Sequence, residues 1–112
     1  MIRWVSDDLV YVEHEFVKSA RKKFYAKIWF KDTQTKRRIA VYDFSGLDSA
    51  AGWLAHFQGL DSNARWWISG LVNTEGEKHF LVLRQFALLV GGKRINPYTM
   101  AEGVAEVELV GV

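Results

Sequence analysis

Cationic and aromatic side chains alternate along one short stretch of this sequence. Tyr25, Lys27, Trp29 and Lys31 occupy every second position, and the positions between them are apolar. In a β-strand every second side chain points to the same face. Flat rings can stack on unpaired bases, and ammonium groups can pair with phosphates. The stretch therefore predicts a non-covalent binding surface for a single-stranded nucleic acid.

Basic residues are concentrated around this stretch. Between Lys18 and Arg38 the sequence has nine basic residues and one acidic residue, Asp32, whereas the net charge of all 112 residues is only +2. The segments before and after are each acidic overall. A concentrated cationic region in a nearly neutral chain is typical of a surface that binds a polyanion.

The candidate binding residues are basic or aromatic and fall on a loop and three predicted strands. They are Arg21, Lys22, Lys23, Tyr25, Lys27, Trp29, Lys31, Lys36, Arg38, Tyr42, Arg65 and Trp67. We expect them to form one surface across three adjacent strands. Trp67 depends on register, because a shift by one residue exchanges it with Trp66. Two other interpretations stay open: the rings can be packing residues, and the cations can be a solvated face.

Period-two alternation predicts the elements that position these residues. The predicted order is three strands, one helix and two strands, at residues 10–18, 24–32, 36–44, 50–58, 65–73 and 79–90. This order predicts an all-β chain with one short helix, arranged as a five-stranded antiparallel OB-fold barrel with the helix between strands three and four. A two-layer α+β sandwich and an SH3-like barrel are the alternatives.

The chain is predicted to form one main domain followed by an appendage. Residues 1–95 are expected to form the nucleic-acid-binding unit, and residues 96–112 the C-terminal appendage. Apolar and acidic residues alternate in the segment from Val104 to Val112, which predicts an extra strand. That strand can extend its own sheet or contact a second copy of the chain.

Two pairs of segments give the sequence a family resemblance. One pair is Lys22 to Asp32 with Arg38 to Phe44, and the other is Trp66 to Val72 with Phe80 to Arg84. Over about residues 10–90 the chain resembles the nucleic-acid-binding OB domains of the tRNA-anticodon and replication-protein-A-like group. The shared pattern is a basic loop, an alternating strand ending in Asp, and a glycine near the end of the fourth strand.

The resemblance implies that a single strand of DNA or RNA crosses the face of strands two and three. It also implies that the strand is held by the loops between strands one and two and between strands four and five. The sequence departs from the family at the second loop, where Glu75 and Glu77 are acidic.

Residue types that support covalent or metal chemistry are scarce. The chain has no Cys, its three His are isolated, and no glycine-rich phosphate loop is present. Asp32 is interpreted as a turn residue rather than as part of a carboxylate pair. We therefore expect no enzyme activity, no metal and no cofactor. The sequence also shows no signal peptide or transmembrane segment, which favours a cytoplasmic or host-cell interior location.

The leading hypothesis is sequence-nonspecific binding of single-stranded DNA by a stand-alone protein of a viral, plasmid or small replication system. A second hypothesis is a protein-interaction OB subunit of a larger assembly, with a possible homodimer. The third is a single-stranded RNA or tRNA binder, which only the 2′-hydroxyl distinguishes from the first.

Overall fold

The computed structural model describes residues 2–18, 20, 24–45 and 50–108, and in this part the chain is mostly antiparallel β-sheet with one short helix. The elements, in chain order, are β1 (Ile2–Lys18), β2 (Phe24–Asp32), β3 (Arg38–Asp43), α1 (Ala50–Leu60), β4 (Arg65–Glu75), β5 (Lys78–Val90), β6 (Lys93–Ile95) and β7 (Ala105–Glu106). The prediction of a mainly β chain with one helix between the third and fourth strands is confirmed.

β1 is long and bent, so that it pairs with two different strands. Its first half pairs with β4 and its second half pairs with β2. The register shifts between Ser6 and Leu9, where Asp8 has a φ of 57°. Leu9 lies at the bend, is fully buried and pairs with both Asp32 and Trp66. The bulge thus curves the sheet around the core.

β2 and β3 form a hairpin that Asp32 organises. The Asp32 carboxylate accepts hydrogen bonds from the backbone N–H groups of Gln34 at 2.8 Å and Thr35 at 3.1 Å. Its carbonyl oxygen accepts the N–H of Lys36, which has a φ of 64°. This pattern is a side-chain-stabilised turn, so the interpretation of Asp32 as a turn residue is confirmed.

β4 and β5 form a second hairpin, and Gly70 lies where its neighbours come closest. A Cβ atom added to Gly70 would overlap the carbonyl oxygen of Val82 and lie 2.9 Å from the indole nitrogen of Trp4. Any larger side chain would therefore push β5 or Trp4 away. Glycine at this position is a packing requirement of the sheet.

Strand pairing closes β1, β2, β3, β5 and β4 into a ring. The ladders are antiparallel, except that β3 and β5 run parallel and pair, within the described residues, at Tyr42 and Val82 alone. β6 and β7 pair with the second half of β5, outside this ring. The ring gives the strands an inner and an outer face.

The inner face is filled by apolar side chains from the strands and from α1. Its buried members are Leu9, Ala26, Ile28, Phe30, Val41, Ala50, Ala51, Leu54, Trp66, Ile68, Leu83, Phe86, Ala105 and Val107. Since Ala105 and Val107 belong to this cluster, the C-terminal segment contributes to the same core as the strands before it.

Several element bounds differ from the sequence prediction. β1 begins eight residues earlier than predicted, at Ile2, because its bulge interrupts the alternation. α1 continues through Gly59 to Leu60, beyond the predicted end at residue 58. The predicted C-terminal strand is only two residues long in β7, and its last predicted residues, 109 to 112, lie outside the described part.

Candidate nucleic-acid interface

The outward face of β2 has the residues that the sequence predicted for it. Ala26, Ile28 and Phe30 are fully buried, whereas Lys27 and Trp29 between them remain partly accessible. This alternation is the direct result of the two-residue period of a strand with one face on the core. Tyr25 and Lys31 lie on the same outward face.

Trp29 lies between two cations at the centre of this face. The ammonium nitrogen of Lys27 is 4.8 Å from the indole centroid, and the guanidinium carbon of Arg38 is 5.1 Å from it. Both distances are within the range of a cation–π interaction. The arrangement places two cationic groups against one large aromatic ring.

Four more rings continue the surface from Lys27, whose nitrogen is also 5.9 Å from the ring of Tyr42. The Tyr42 ring lies 5.9 Å from Tyr25, 6.4 Å from Phe44 and 5.3 Å from Phe80, between centroids. Tyr25 and Phe44 are 5.2 Å apart. We call Tyr25, Tyr42, Phe44 and Phe80 the ring cluster.

Further cations lie towards the hairpin turn. Lys31 and Arg38 are opposite each other in the β2–β3 ladder, and Lys36 is in the turn. All three side chains are exposed. A polyanion lying along β2 and β3 would therefore meet cations at the turn, Trp29 in the middle and the ring cluster at the other end.

Acidic side chains of β1 border this surface on one side. Glu13 pairs with Trp29 and Glu15 with Lys27 across the β1–β2 ladder. The Glu13 carboxylate is 3.0 Å from the Arg38 guanidinium, in an ion pair whose two side chains are 64% and 51% exposed. These acids make the β1 border of the surface negative.

Replacing Glu13 with Gln is expected to tighten binding of a single-stranded oligonucleotide about two- to five-fold, since an exposed ion pair is worth up to about 1 kcal/mol. The change releases Arg38 from its carboxylate and leaves the side-chain shape almost unchanged. A fluorescence titration at fixed salt measures the effect. Glu102→Gln, an exposed acid on a different part of the chain, is the control for net charge alone. Equal gains in both variants would contradict a local role for Glu13.

The sequence prediction of one surface across β2, β3 and β4 is wrong in its third strand. β4 pairs with β1 and β5, so it is not adjacent to β2 or β3. Arg65 lies at the bend of β1, where its guanidinium is 3.6 Å from Asp8. Trp67 does face away from the core cluster, but it is only 4% exposed and lies under Arg94 at 4.2 Å. Trp67 therefore offers no free ring face.

Arg21, Lys22 and Lys23 of the predicted first loop lie outside the described residues. Their role in binding stays a prediction from the sequence. The residues that flank this loop, Lys18 and Phe24, are both exposed, and the Lys18 nitrogen is 5.8 Å from the Phe24 ring.

Sequence reasoning missed Phe44 and Phe80 as members of the surface. Phe44 follows the last residue of β3, but it lies in the predicted strand 36–44 and shares the parity of Arg38 and Tyr42, so strand alternation could have found it. Phe80 joins the cluster because β5 returns beside β3, with Val82 opposite Tyr42. The signal that could have found Phe80 is its outward parity relative to the buried Leu83.

The hairpin between β4 and β5 is acidic and adjoins the ring cluster. Glu75, Glu77 and Lys78 are exposed, and Phe80 follows two residues after Lys78. The net negative charge of this turn opposes a phosphate contact there. The acidic charge by which this loop differs from the family pattern is therefore present on the folded surface as well.

Other chemistry is sparse in the described part of the chain. No group of three or more His, Asp or Glu among the described residues could hold a metal ion. Burial raises the pKa of Tyr11, and that of Tyr98, above the usual range; Glu13 adds to the first and Asp43 to the second. Neither tyrosine belongs to the ring cluster. In this same part, no helix is both long and apolar enough to cross a membrane.

Comparisons with protein-family models, with curated proteins and with solved structures found no match to this chain.

Proposed function

We infer that the outer face of β2 and β3 binds single-stranded nucleic acid, taken here as single-stranded DNA, without sequence specificity. The observation that carries this proposal is Trp29 held between Lys27 and Arg38, beside the ring cluster on the same face. Single-strand binders combine these two kinds of group, since rings stack on bases and cations meet phosphates. No catalytic step is proposed.

The proposed binding exchanges one set of contacts for another. Lys27 and Arg38 move from the indole of Trp29 to the phosphates, and a base takes their place on the ring. Each cation would move only a short distance, because it already lies within about one side-chain length of the indole ring. Backbone contacts of this kind position a strand but do not read its sequence.

The fold that we propose for this site is an OB-fold. Its support is the ring order β1–β2–β3–β5–β4, the parallel β3–β5 contact, and a helix between β3 and β4. In OB-folds the second and third strands carry the oligonucleotide. Backbone NOEs between Tyr42 and Val82 test the contact that closes the ring, and their absence would contradict an OB-fold.

A fluorescence titration with a single-stranded oligonucleotide of about ten bases tests the function, since OB sites span about 4–16 nucleotides. We expect quenching of tryptophan emission, a Kd of about 1 μM or less, and much weaker binding to duplex DNA. Binding of RNA of the same sequence measures any contribution of the 2′-hydroxyl. Undetectable binding, or equal affinity for duplex, would contradict the proposal.

Replacing Lys27 with Gln is expected to reduce the salt dependence of binding. One lost phosphate contact on a single strand lowers the slope of log K against log salt concentration by about 0.7. Titrations at several salt concentrations measure the slope. Lys93→Gln removes one charge from β6, away from the surface, and should leave the slope unchanged. A Lys27→Gln slope equal to that of the unmodified protein would show that Lys27 meets no phosphate.

The ring cluster also fits the alternative of a protein-docking surface, because its four rings pack closely on one another. That alternative predicts an apolar patch from which the cations point away. Here Lys27 lies over both Trp29 and Tyr42, which favours the nucleic acid. Light scattering on the pure protein tests for a homodimer, and a dimer that dissociates in Tyr42→Ala would support docking instead.

A further inference from the structure

A polar cleft lies on the outer face of β4, β5 and the first half of β1. It has a volume of about 250 Å³ and is lined by Arg3, Ser69, Gly70, Leu71, Arg84, Gln85 and Glu106. β4 is not adjacent to β2 or β3, so the cleft is separate from the surface around Trp29. None of these residues is among the candidate binding residues that the sequence predicted.

A β-bulge in β5 explains why two consecutive polar side chains reach this cleft. Ser69 pairs with Gln85, but the next residue, Gly70, pairs with Leu83, so Arg84 is an extra residue on β5. Leu83 and Phe86 are both fully buried in the core. Arg84 and Gln85 between them must therefore both face outward, as bulges commonly arrange near functional sites.

The side chains that line the cleft carry more positive than negative charge. Within the described residues, neither Arg3 nor Arg84 forms an ion pair, and Glu106 is the only acid in the lining. The Nε atom of Arg84 is buried and has no hydrogen-bond partner. A buried donor of a charged group without a partner is costly, so an acceptor at this position would stabilise the fold.

Gln85 organises the remaining polar groups. Its side-chain oxygen accepts hydrogen bonds from the Ser69 hydroxyl at 2.9 Å and from Arg3 at 3.4 Å, and its amide nitrogen donates to Glu106 at 2.6 Å. Glu106 is thus tied to Gln85 rather than to either arginine. The two guanidinium groups stay available to an anion from outside.

We propose that this cleft binds a phosphate group, with Arg3 and Arg84 as its cationic ligands. Guanidinium groups match the geometry of phosphate oxygens, and two of them converge here on a partly enclosed space. The proposal does not depend on oligonucleotide binding at Trp29, because the cleft has its own ligands.

The phosphate can come from two sources, a free ion or a bound strand. Phe80 of the ring cluster and Arg84 are four residues apart on the outer face of β5, which corresponds to about 13 Å along a strand. A nucleic acid that passes over Tyr42 and Phe80 could therefore place a phosphate in the cleft. The experiment distinguishes the two sources.

The test is a titration of the full chain with inorganic phosphate, followed by amide NMR and compared with sodium chloride at the same ionic strength. We expect saturable shifts confined to the amides of Ser69, Gly70 and Gln85. Arg84→Gln should weaken binding about ten-fold or more, since a charged hydrogen bond is worth about 1.5–3 kcal/mol. Arg3→Gln should weaken it too, and Arg3 is exposed, so that variant keeps the fold.

Two further variants sharpen the result. Glu106→Gln keeps the hydrogen bond from Gln85 and removes the only acid of the lining, so phosphate affinity should rise about two- to five-fold. Arg37→Gln, an exposed arginine of the β2–β3 turn, is the matched control and should leave phosphate affinity unchanged. Shifts scattered over the protein, or shifts that persist in both Arg84→Gln and Arg3→Gln, would overturn the proposal.

An oligonucleotide titration of Arg84→Gln identifies the source. If the phosphate belongs to a bound strand, this variant also loses affinity for single-stranded DNA. If it is a free ion, the affinity for DNA is unchanged while the response to inorganic phosphate is lost. A chain that binds phosphate but no oligonucleotide would contradict the proposed function and support the cleft.

Discussion

Replacing Trp29 with Ala is expected to weaken binding of single-stranded DNA about 5- to 150-fold, since one stacked base is worth about 1–3 kcal/mol. We expect a large effect because Trp29 is the proposed stacking surface and its ring contacts both Lys27 and Arg38. The same titration should lose most of its tryptophan quenching, because the remaining tryptophans lie off the β2–β3 face.

Two variants separate stacking from other effects of this substitution. Trp29→Phe keeps a ring and should recover a large part of the lost affinity. Trp53 is on α1, where it packs against Phe57 and Tyr98, so Trp53→Ala should leave affinity unchanged. Thermal unfolding of each variant shows whether the fold is intact. If Trp29→Ala binds single-stranded DNA with the affinity of the unmodified protein, Trp29 is not a stacking surface and the proposed function loses its main support.

Replacing Gly70 with Ala is expected to destabilise the protein by about 3 kcal/mol. The new methyl group would overlap the Val82 carbonyl oxygen, which belongs to the backbone and cannot rotate away. The chain must shift β5 relative to β4 to make room. Thermal unfolding followed by circular dichroism should show a Tm lower by about 10 °C or more.

Gly52→Ala is the matched control for this prediction. Gly52 is on α1, and a Cβ atom there meets nothing within 4 Å. Alanine is a better helix former than glycine by about 1 kcal/mol, so this variant should be more stable than the unmodified protein. If both glycine variants change stability in the same direction, the close approach at Gly70 is not the cause.

The sequence was most informative where alternation is regular. β2 has the predicted bounds, residues 24–32, and its buried and accessible side chains alternate as expected. Five of the predicted site residues, Tyr25, Lys27, Trp29, Arg38 and Tyr42, lie together on the outward face of the β2–β3 hairpin. This success is physical: one buried face and a tight turn fix the register of a hairpin.

The sequence was least informative where contacts depend on the whole topology. The burial of Trp67 depends on Arg94, which is 27 residues further along the chain and is placed by β6. The cleft around Arg84 depends on a bulge, which breaks the alternation that sequence reasoning uses. Phe80 reaches Tyr42 only through the parallel contact of β3 with β5. None of these relations is local in sequence.

Within the described residues β3 and β5 pair at one position, so this is the weakest contact between neighbouring strands of the closed sheet. Tyr42 is on β3 and Phe80 is on β5, and the centroids of their rings are 5.3 Å apart. A ligand that stacks on both aromatic rings would hold β3 and β5 together. Binding of the nucleic acid should therefore slow hydrogen exchange of the β3 amides more than that of the β4 amides, because the ligand stabilises the β3–β5 contact for as long as it is bound.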